Sequence, residues 1–298
     1  MTDRMRKYAI DFFTGQIGPV NSKEKLSAFL RKLSGKVCPH VEGVTYDIEI
    51  RGLVEAEPGV FQGVFAKIRK DELPHAGKAG HPDRDLGLAQ DEGLVDKNHF
   101  VYYEQNELLV MQANRYAGTA VALGKYLTDI HGQLAVSFNP VLQPDATRRL
   151  MREDLTPVQI ETSFARPTNP DLYPDDDWST GLLDMLSQLG GGNVKLSVTA
   201  DRKRVAEGAD RLTDRARRVA QAFRQIPNVR KVKINMEDDE GIIYPIDLIA
   251  DRLKVRIEIS VSGRYPNEAG MFKALKGAKN DQLDNLQQIF GIPGANLN

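Results

Sequence analysis

The sequence predicts an α+β fold in two domains, with largely antiparallel sheets and flanking helices. Strand-like runs in the first half are joined by short polar turns, amphipathic helical stretches separate them, and a segment crowded with Pro and Asp interrupts both periodicities near mid-chain. Residues 91–127 display the pattern most plainly. After a polar loop at Asp91, Glu92 and Gly93, the run His99-Phe100-Val101-Tyr102-Tyr103 turns through Glu104-Gln105-Asn106-Glu107 and returns as residues 108–114, which reads as a β-hairpin. Beyond Gly118 the period changes. Ala120, Leu123, Tyr126, Leu127 and Ile130 fall three or four apart and predict an amphipathic helix packed on that hairpin.

In chain order, residues 8–13 read as a first strand closed by Gly15 and Gly18-Pro19. Ser22 then caps a helix whose Leu26, Phe29, Leu30 and Leu33 share one face. Residues 46–50 and 60–68 alternate and form a second expected hairpin around Glu57-Pro58-Gly59, with Gly63 at a bulge. Residues 70–97 are dense in Gly, Pro, His and Asp, and a connection that long inside a domain is usually functional or mobile. Strands at 133–142 and 158–164 bracket a short helix at 146–153. Residues 167–177 are the expected linker, dividing an N-terminal α+β domain (1–166) from a C-terminal one (178–298).

In the second half a helix at 178–189 stops at Gly190-Gly191-Gly192, and a strand follows at 194–199. Residues 204–226 predict a longer helix. Val205, Leu212, Ala216, Val219, Phe223 and Ile226 share its apolar face, and Pro227 ends it. A strand at 229–236, an acidic turn at 237–241, an alternating strand at 253–259 and a helical tail at 267–290 with a join near Gly277 complete the expectation.

With 298 residues, 41% hydrophobic and 27% charged, the chain has the composition of a globular protein. A formal net charge of -1 gives no global pull toward polyanions, so any affinity for nucleic acid must be local. The single cysteine, Cys38, excludes an internal disulfide framework, and no apolar run approaches the roughly 20 residues of a spanning helix, which points to the cytoplasm.

Charge is concentrated in one place. Between Lys195 and Lys233 there are 12 basic residues against 4 acidic ones. Arg204, Arg211 and Arg218 recur every seven residues, and Arg215 lies one turn from the last two, so a continuous helix would carry a cationic ridge. Guanidinium groups in such a row grip phosphates, and Lys195, Arg202, Lys203, Lys231 and Lys233 extend the set. The plainer alternative is a solvated helix with i,i+4 pairs such as Glu207 with Arg211 and Asp214 with Arg218. The threefold excess of basic residues favours polyanion binding, through the backbone and without base readout.

Catalytic patterns are weaker. Cys38, His40, His75 and His81 lack the paired spacing of a zinc site. Asp91, Glu92, Asp175 and Asp176 are the acids a metal-dependent nuclease would use, but the run Pro174-Asp175-Asp176-Asp177 reads as a solvated linker. No phosphate-cradling Gly-x-x-x-x-Gly-Lys loop or Gly-x-Ser-x-Gly elbow occurs. His99, close to Asp96, reads as a hydrogen-bonded strand residue ahead of a base or ligand. Neither a catalytic residue, a metal ligand nor a cofactor is therefore assigned.

The hairpin Phe100-Val101-Tyr102-Tyr103-x-x-x-x-Leu108-Leu109 is followed by Gly118 and a helix ending Tyr126-Leu127, and later by Leu182-Leu183-x-x-Leu186-x-x-Leu189-Gly190 leading into a basic strand and helix. This order of elements, from about residue 8 to 279, resembles the RexA-like phage-exclusion proteins of lambdoid phages, and more distantly the DNA-binding subunit of the Kiwa defence system. The resemblance implies antiviral defence by phage exclusion or abortive infection without evident catalysis. It also implies a homodimer on double-stranded DNA with little sequence preference, and a small membrane protein encoded nearby. A nuclease of a defence system, or a module binding an acidic protein through the same basic residues, are the alternatives.

Overall fold

In the computed structural model, residues 4–18, 23–43, 45–165, 177–188, 192–200, 212, 215–225, 229–261 and 266–291 are described. Among them are eleven strands in two antiparallel sheets and seven helices, the mixed α+β class expected from the sequence. The chain divides into two compact units, one of residues 1–138 and 254–280 and the other of residues 139–253 and 281–298. The sequence suggested 1–166 and 178–298 instead. Long-range pairing accounts for the difference, because residues 156–165 pair with strands of the second unit and residues 254–261 pair with the first strand of the chain. The expected linker joins two elements of one unit, and all of it but Asp177 lies outside the described residues.

Unit 1 is built on β1 (Arg4–Ile17), β2 (Tyr46–Glu57), β3 (Val60–Arg69), β4 (Leu94–Tyr103), β5 (Leu108–Gln112) and β11 (Lys254–Val261), in the order β11-β1-β5-β4-β3-β2, with β6 (Val136–Pro140) also paired to β1. The β4–β5 turn holds Asn106 and Glu107 at φ values of 62 and 49, a region that Asn tolerates, and the Tyr102 hydroxyl donates to the Glu107 carboxylate. Strand side chains alternate in direction. Phe61, Phe65, Phe100, Tyr102, Leu109 and Met111 therefore meet α1 (Leu26–Leu33) and α2 (Ala120–His131) in one core. The Thr119 side chain caps α2 by accepting from Ala122 N, and Gly132 closes the helix at φ 74.

The opposite face of this sheet receives α6 (Glu268–Asp281), whose Met271, Leu275 and Ala278 are buried. Its Phe272 ring meets His99 edge-on at 5.4 Å, while the neighbouring Phe100 points into the α1/α2 core. Asn98, also buried, ties three segments together by donating to the Gly118 carbonyl at 2.9 Å and accepting from Asn114 N at 2.9 Å. Gly118 is needed there, since a Cβ would come within 2.3 Å of the Phe65 ring.

Unit 2 is a four-stranded sheet of β7 (Thr156–Ala165), β8 (Asn193–Thr199), β9 (Val229–Glu237) and β10 (Ile243–Asp247) in the order β10-β9-β7-β8. The unit also contains α3 (Pro144–Met151), α4 (Asp177–Gln188), α5 (Arg215–Gln225) and α7 (Leu283–Phe290). Ala216, Val219, Ala220 and Phe223 of α5 pack on Ile160, Phe164, Val232 and Ile234, with the Phe164 and Phe223 rings stacked at 5.6 Å. Leu142, Ala146, Leu150 and Leu183 join the same core. Strand β10 was not anticipated from sequence, and Pro245 sits inside it. As an edge strand it tolerates the missing donor. The helical tail breaks at Gln282, not at Gly277. Among the described residues no helix is long and apolar enough to cross a membrane.

Candidate nucleic-acid interface

The two faces of the unit 2 sheet differ completely. One carries Ile160, Phe164, Val232, Ile234, Met236 and Ile246 under the helices. By alternation the other carries Lys195, Ser197 and Thr199 on β8, Gln159, Glu161 and Ser163 on β7, and Lys231, Lys233, Asn235 and Glu237 on β9. Every residue of that second face is exposed or half-exposed.

Register turns this list into rows. Lys195, Ser163 and Lys231 lie side by side across three strands, Ser197, Glu161 and Lys233 form the next row, and Thr199, Gln159 and Asn235 the third. The rows are cross-linked. Asn235 Nδ2 donates to Gln159 Oε1 at 2.8 Å, and Gln159 Nε2 donates to Glu161 Oε1 at 3.1 Å and to Ser197 Oγ at 3.3 Å. The Glu161 carboxylate also holds the Lys231 ammonium. Lys195 and Lys233 have no ion pair among the described residues. Asp247, opposite Lys233 on β10, directs Oδ1 to the backbone N–H groups of Ile249 and Ala250, at 2.9 and 3.0 Å.

The basic residues nominated from sequence thus distribute over two surfaces. Lys195, Lys231 and Lys233 converge on the open sheet face, while Arg218 is exposed on α5, which covers the opposite face. Arg215 opens α5. Arg202, Lys203, Arg204 and Arg211 lie outside the described residues, and with them most of the expected ridge. Arg217, counted in the basic excess, donates Nη2 to the Arg152 carbonyl at 2.7 Å and to the Leu155 carbonyl, fastening α5 to the end of α3. That bond brings Arg152 beside α5, a neighbour the sequence argument missed. The run Arg148-Arg149-x-x-Arg152 was its available signal, but Arg149 pairs with Asp145 and Arg152 with Asp154.

Other sequence candidates do not assemble. Among the described residues no group of three or more His, Cys, Asp or Glu side chains is placed to hold a metal. Cys38 is buried, with burial pushing its thiol pKa up, His40 faces Glu42, and His75 faces Asp85 at 3.4 Å. Glu92 Oε2 accepts from Ala89 N at 2.9 Å, and Asp175 and Asp176 lie outside the described residues. In unit 1 a cleft at the hairpin tips is lined by Arg31, Glu55, Tyr103 and Glu104. Arg31 already bonds both Glu55 and Glu104 there, so the cleft satisfies its own charges.

His99 is a buried structural residue in the middle of β4. Its Nδ1 lies 2.9 Å from Gln112 Oε1, and Nε2 is buried without a partner among the described residues. Burial lowers its pKa below 6.5, with the nearby Lys97 ammonium acting in the same direction and Gln112 and Glu268 opposing. The fold therefore holds a neutral imidazole. Below about pH 6.5 the unfolded chain gains a proton that the folded chain refuses, so stability is expected to fall as pH drops, levelling off once the folded pKa is passed. Urea midpoints between pH 7.5 and 5 should show this slope in the native protein and lose it in His99→Leu. An unchanged slope in the variant would assign the effect elsewhere.

No curated protein matches the chain. Residues 49–276 match DUF6731, described as a family of unknown function, and with that share of its length matched the chain belongs to this family.

Proposed function

We propose that unit 2 binds double-stranded DNA through the backbone, with little sequence preference, using the open face of its sheet. The observation that supports this most directly is the convergence of Lys195, Lys231 and Lys233 on one solvent-facing surface among hydroxyl, amide and carboxylate side chains. Lysines together with Ser, Thr, Asn and Gln side chains are the groups that contact phosphate and sugar. No aromatic side chain stands on the described part of this face, so it offers no stacking platform for unpaired bases, which favours a duplex over a single strand. Glu161 and its neighbours lower the local potential, so binding is modest and sensitive to salt. The likeness to RexA-like proteins supplies the setting: a cytoplasmic homodimer that acts in phage exclusion as a sensor or scaffold, alongside a membrane protein encoded nearby.

Fluorescence anisotropy with several unrelated duplexes tests the reading. Lys195→Gln/Lys233→Gln is expected to weaken binding to every duplex alike. It should also make the slope of log affinity against log salt shallower by about 2, roughly 0.9 for each lost phosphate contact. A folded double variant with native affinity and native slope would refute the sheet-face assignment. Magnesium-dependent cleavage of the duplex would put a nuclease in its place.

A further inference from the structure

Besides β6, a five-residue strand that pairs with β1 alone and ends at Pro140, four strands end the two sheets among the described residues, and three of these four are protected against further pairing. Strand β2 carries Glu49, Arg51, Glu55 and Glu57, and its register to β3 breaks twice. Strand β11 carries Lys254, Arg256 and Glu258, and β10 is five residues long with Pro245 near its centre. Charge, register breaks and proline are the means by which edge strands avoid adding another strand. Strand β8 is different. Its seven residues pair with β7 without a break, contain no proline and include one charge, Lys195. Among the described residues no strand pairs with its outer side.

We propose that β8 pairs antiparallel with β8 of a second copy of this chain, joining two four-stranded sheets across a twofold axis at Leu196. The sequence Asn193-Val194-Lys195-Leu196-Ser197-Val198-Thr199 is self-complementary in that register. Val194 falls opposite Val198 and Leu196 opposite itself on the helix-covered side, where Leu196 and Val198 are only half-buried in the single chain. On the open side Asn193 falls opposite Thr199 and Lys195 opposite Ser197, so apolar meets apolar, polar meets polar, and no like charges meet. Moving the axis to Lys195 would set that ammonium against its own copy. Moving it to Ser197 would leave Val194 without an apolar partner within the strand. This register explains why a second copy fits better than an unrelated strand, and an isologous contact of this kind closes as a dimer. It stands independently of the DNA reading. Where both hold, the two open faces become one, and the lysines of both copies line a single surface.

Disulfide trapping in the full chain, with the native protein and its buried Cys38 as the control, tests the register. Leu196→Cys is expected to give a disulfide-linked dimer on mild oxidation, because facing residues of an antiparallel pair have Cα atoms about 4.5–5.5 Å apart, within disulfide range. Asn193→Cys alone should stay unlinked, since its counterpart lies about 20 Å away along the paired strands. The exposed pair Asn193→Cys/Thr199→Cys should link, and it probes the same register without disturbing the core. Sedimentation of the unmodified protein should show a dimer. A monomer in sedimentation, or equal linking at residues 193 and 196, would overturn the proposal.

Discussion

Phe223→Ala is expected to destabilise unit 2 by about 3–5 kcal/mol, the usual range for removing a fully buried aromatic ring. Phe223 is 0% exposed and its ring stacks on Phe164 at 5.6 Å, joining α5 to β7 where the helix crosses the sheet. Truncation leaves a cavity between Phe164, Val232 and Ile234, residues held by strand pairing that cannot close over it freely. The lysine-bearing face is the reverse of the same strands, so its spacing depends on this packing. Urea unfolding monitored by circular dichroism measures the loss, with Arg218→Ala, exposed on the same helix, as the comparison that should leave the midpoint in place. A shift under about 1 kcal/mol for Phe223→Ala would show that α5 does not close this core.

Asn98→Ala should cost unit 1 about 2–4 kcal/mol. The substitution removes no large apolar group, so the effect comes from stranded polar atoms. The Gly118 carbonyl loses its donor and Asn114 N loses its acceptor, each costing about 1–3 kcal/mol when no water replaces the amide. Asn98→Asp separates the two contacts, since a carboxylate still accepts from Asn114 N but cannot donate to Gly118. Its second carboxylate oxygen would lie buried against the Gly118 carbonyl oxygen, so at neutral pH its stability should be no higher than that of Asn98→Ala. If both variants unfold at the native urea concentration, the bridge contributes nothing and α2 is held by its apolar face alone.

What the sequence disclosed was mostly local. Alternation and turn chemistry placed β2, β3, β4 and β5, and the spacing of Ala120, Leu123, Tyr126 and Leu127 placed α2. Strand β1 was read as residues 8–13 because Gly15 looked like a terminator. The strand runs on to Ile17, since Gly15 lets Leu26, Phe138 and Tyr102 approach where a Cβ would come within 2.9 Å of Leu26. Pairing between distant segments was illegible, because no periodicity reports that Arg4 lies opposite Val261. The same limit applies to the candidate site. Counting found the basic residues, but only register shows Lys195 and Lys231 flanking Ser163, and Glu161 beside them taking up one of the charges.

The interleaving of unit 1 has a consequence during synthesis. Strand β1 leaves the ribosome long before residues 254–261, the segment that pairs with residues 4–11. Until translation reaches that point the flank of β1 has bare amide and carbonyl groups, which at about 5–20 residues per second is an interval of tens of seconds. A message truncated before residue 254 would yield a chain whose first strand never acquires β11, and such products are expected to depend on chaperones or to be degraded.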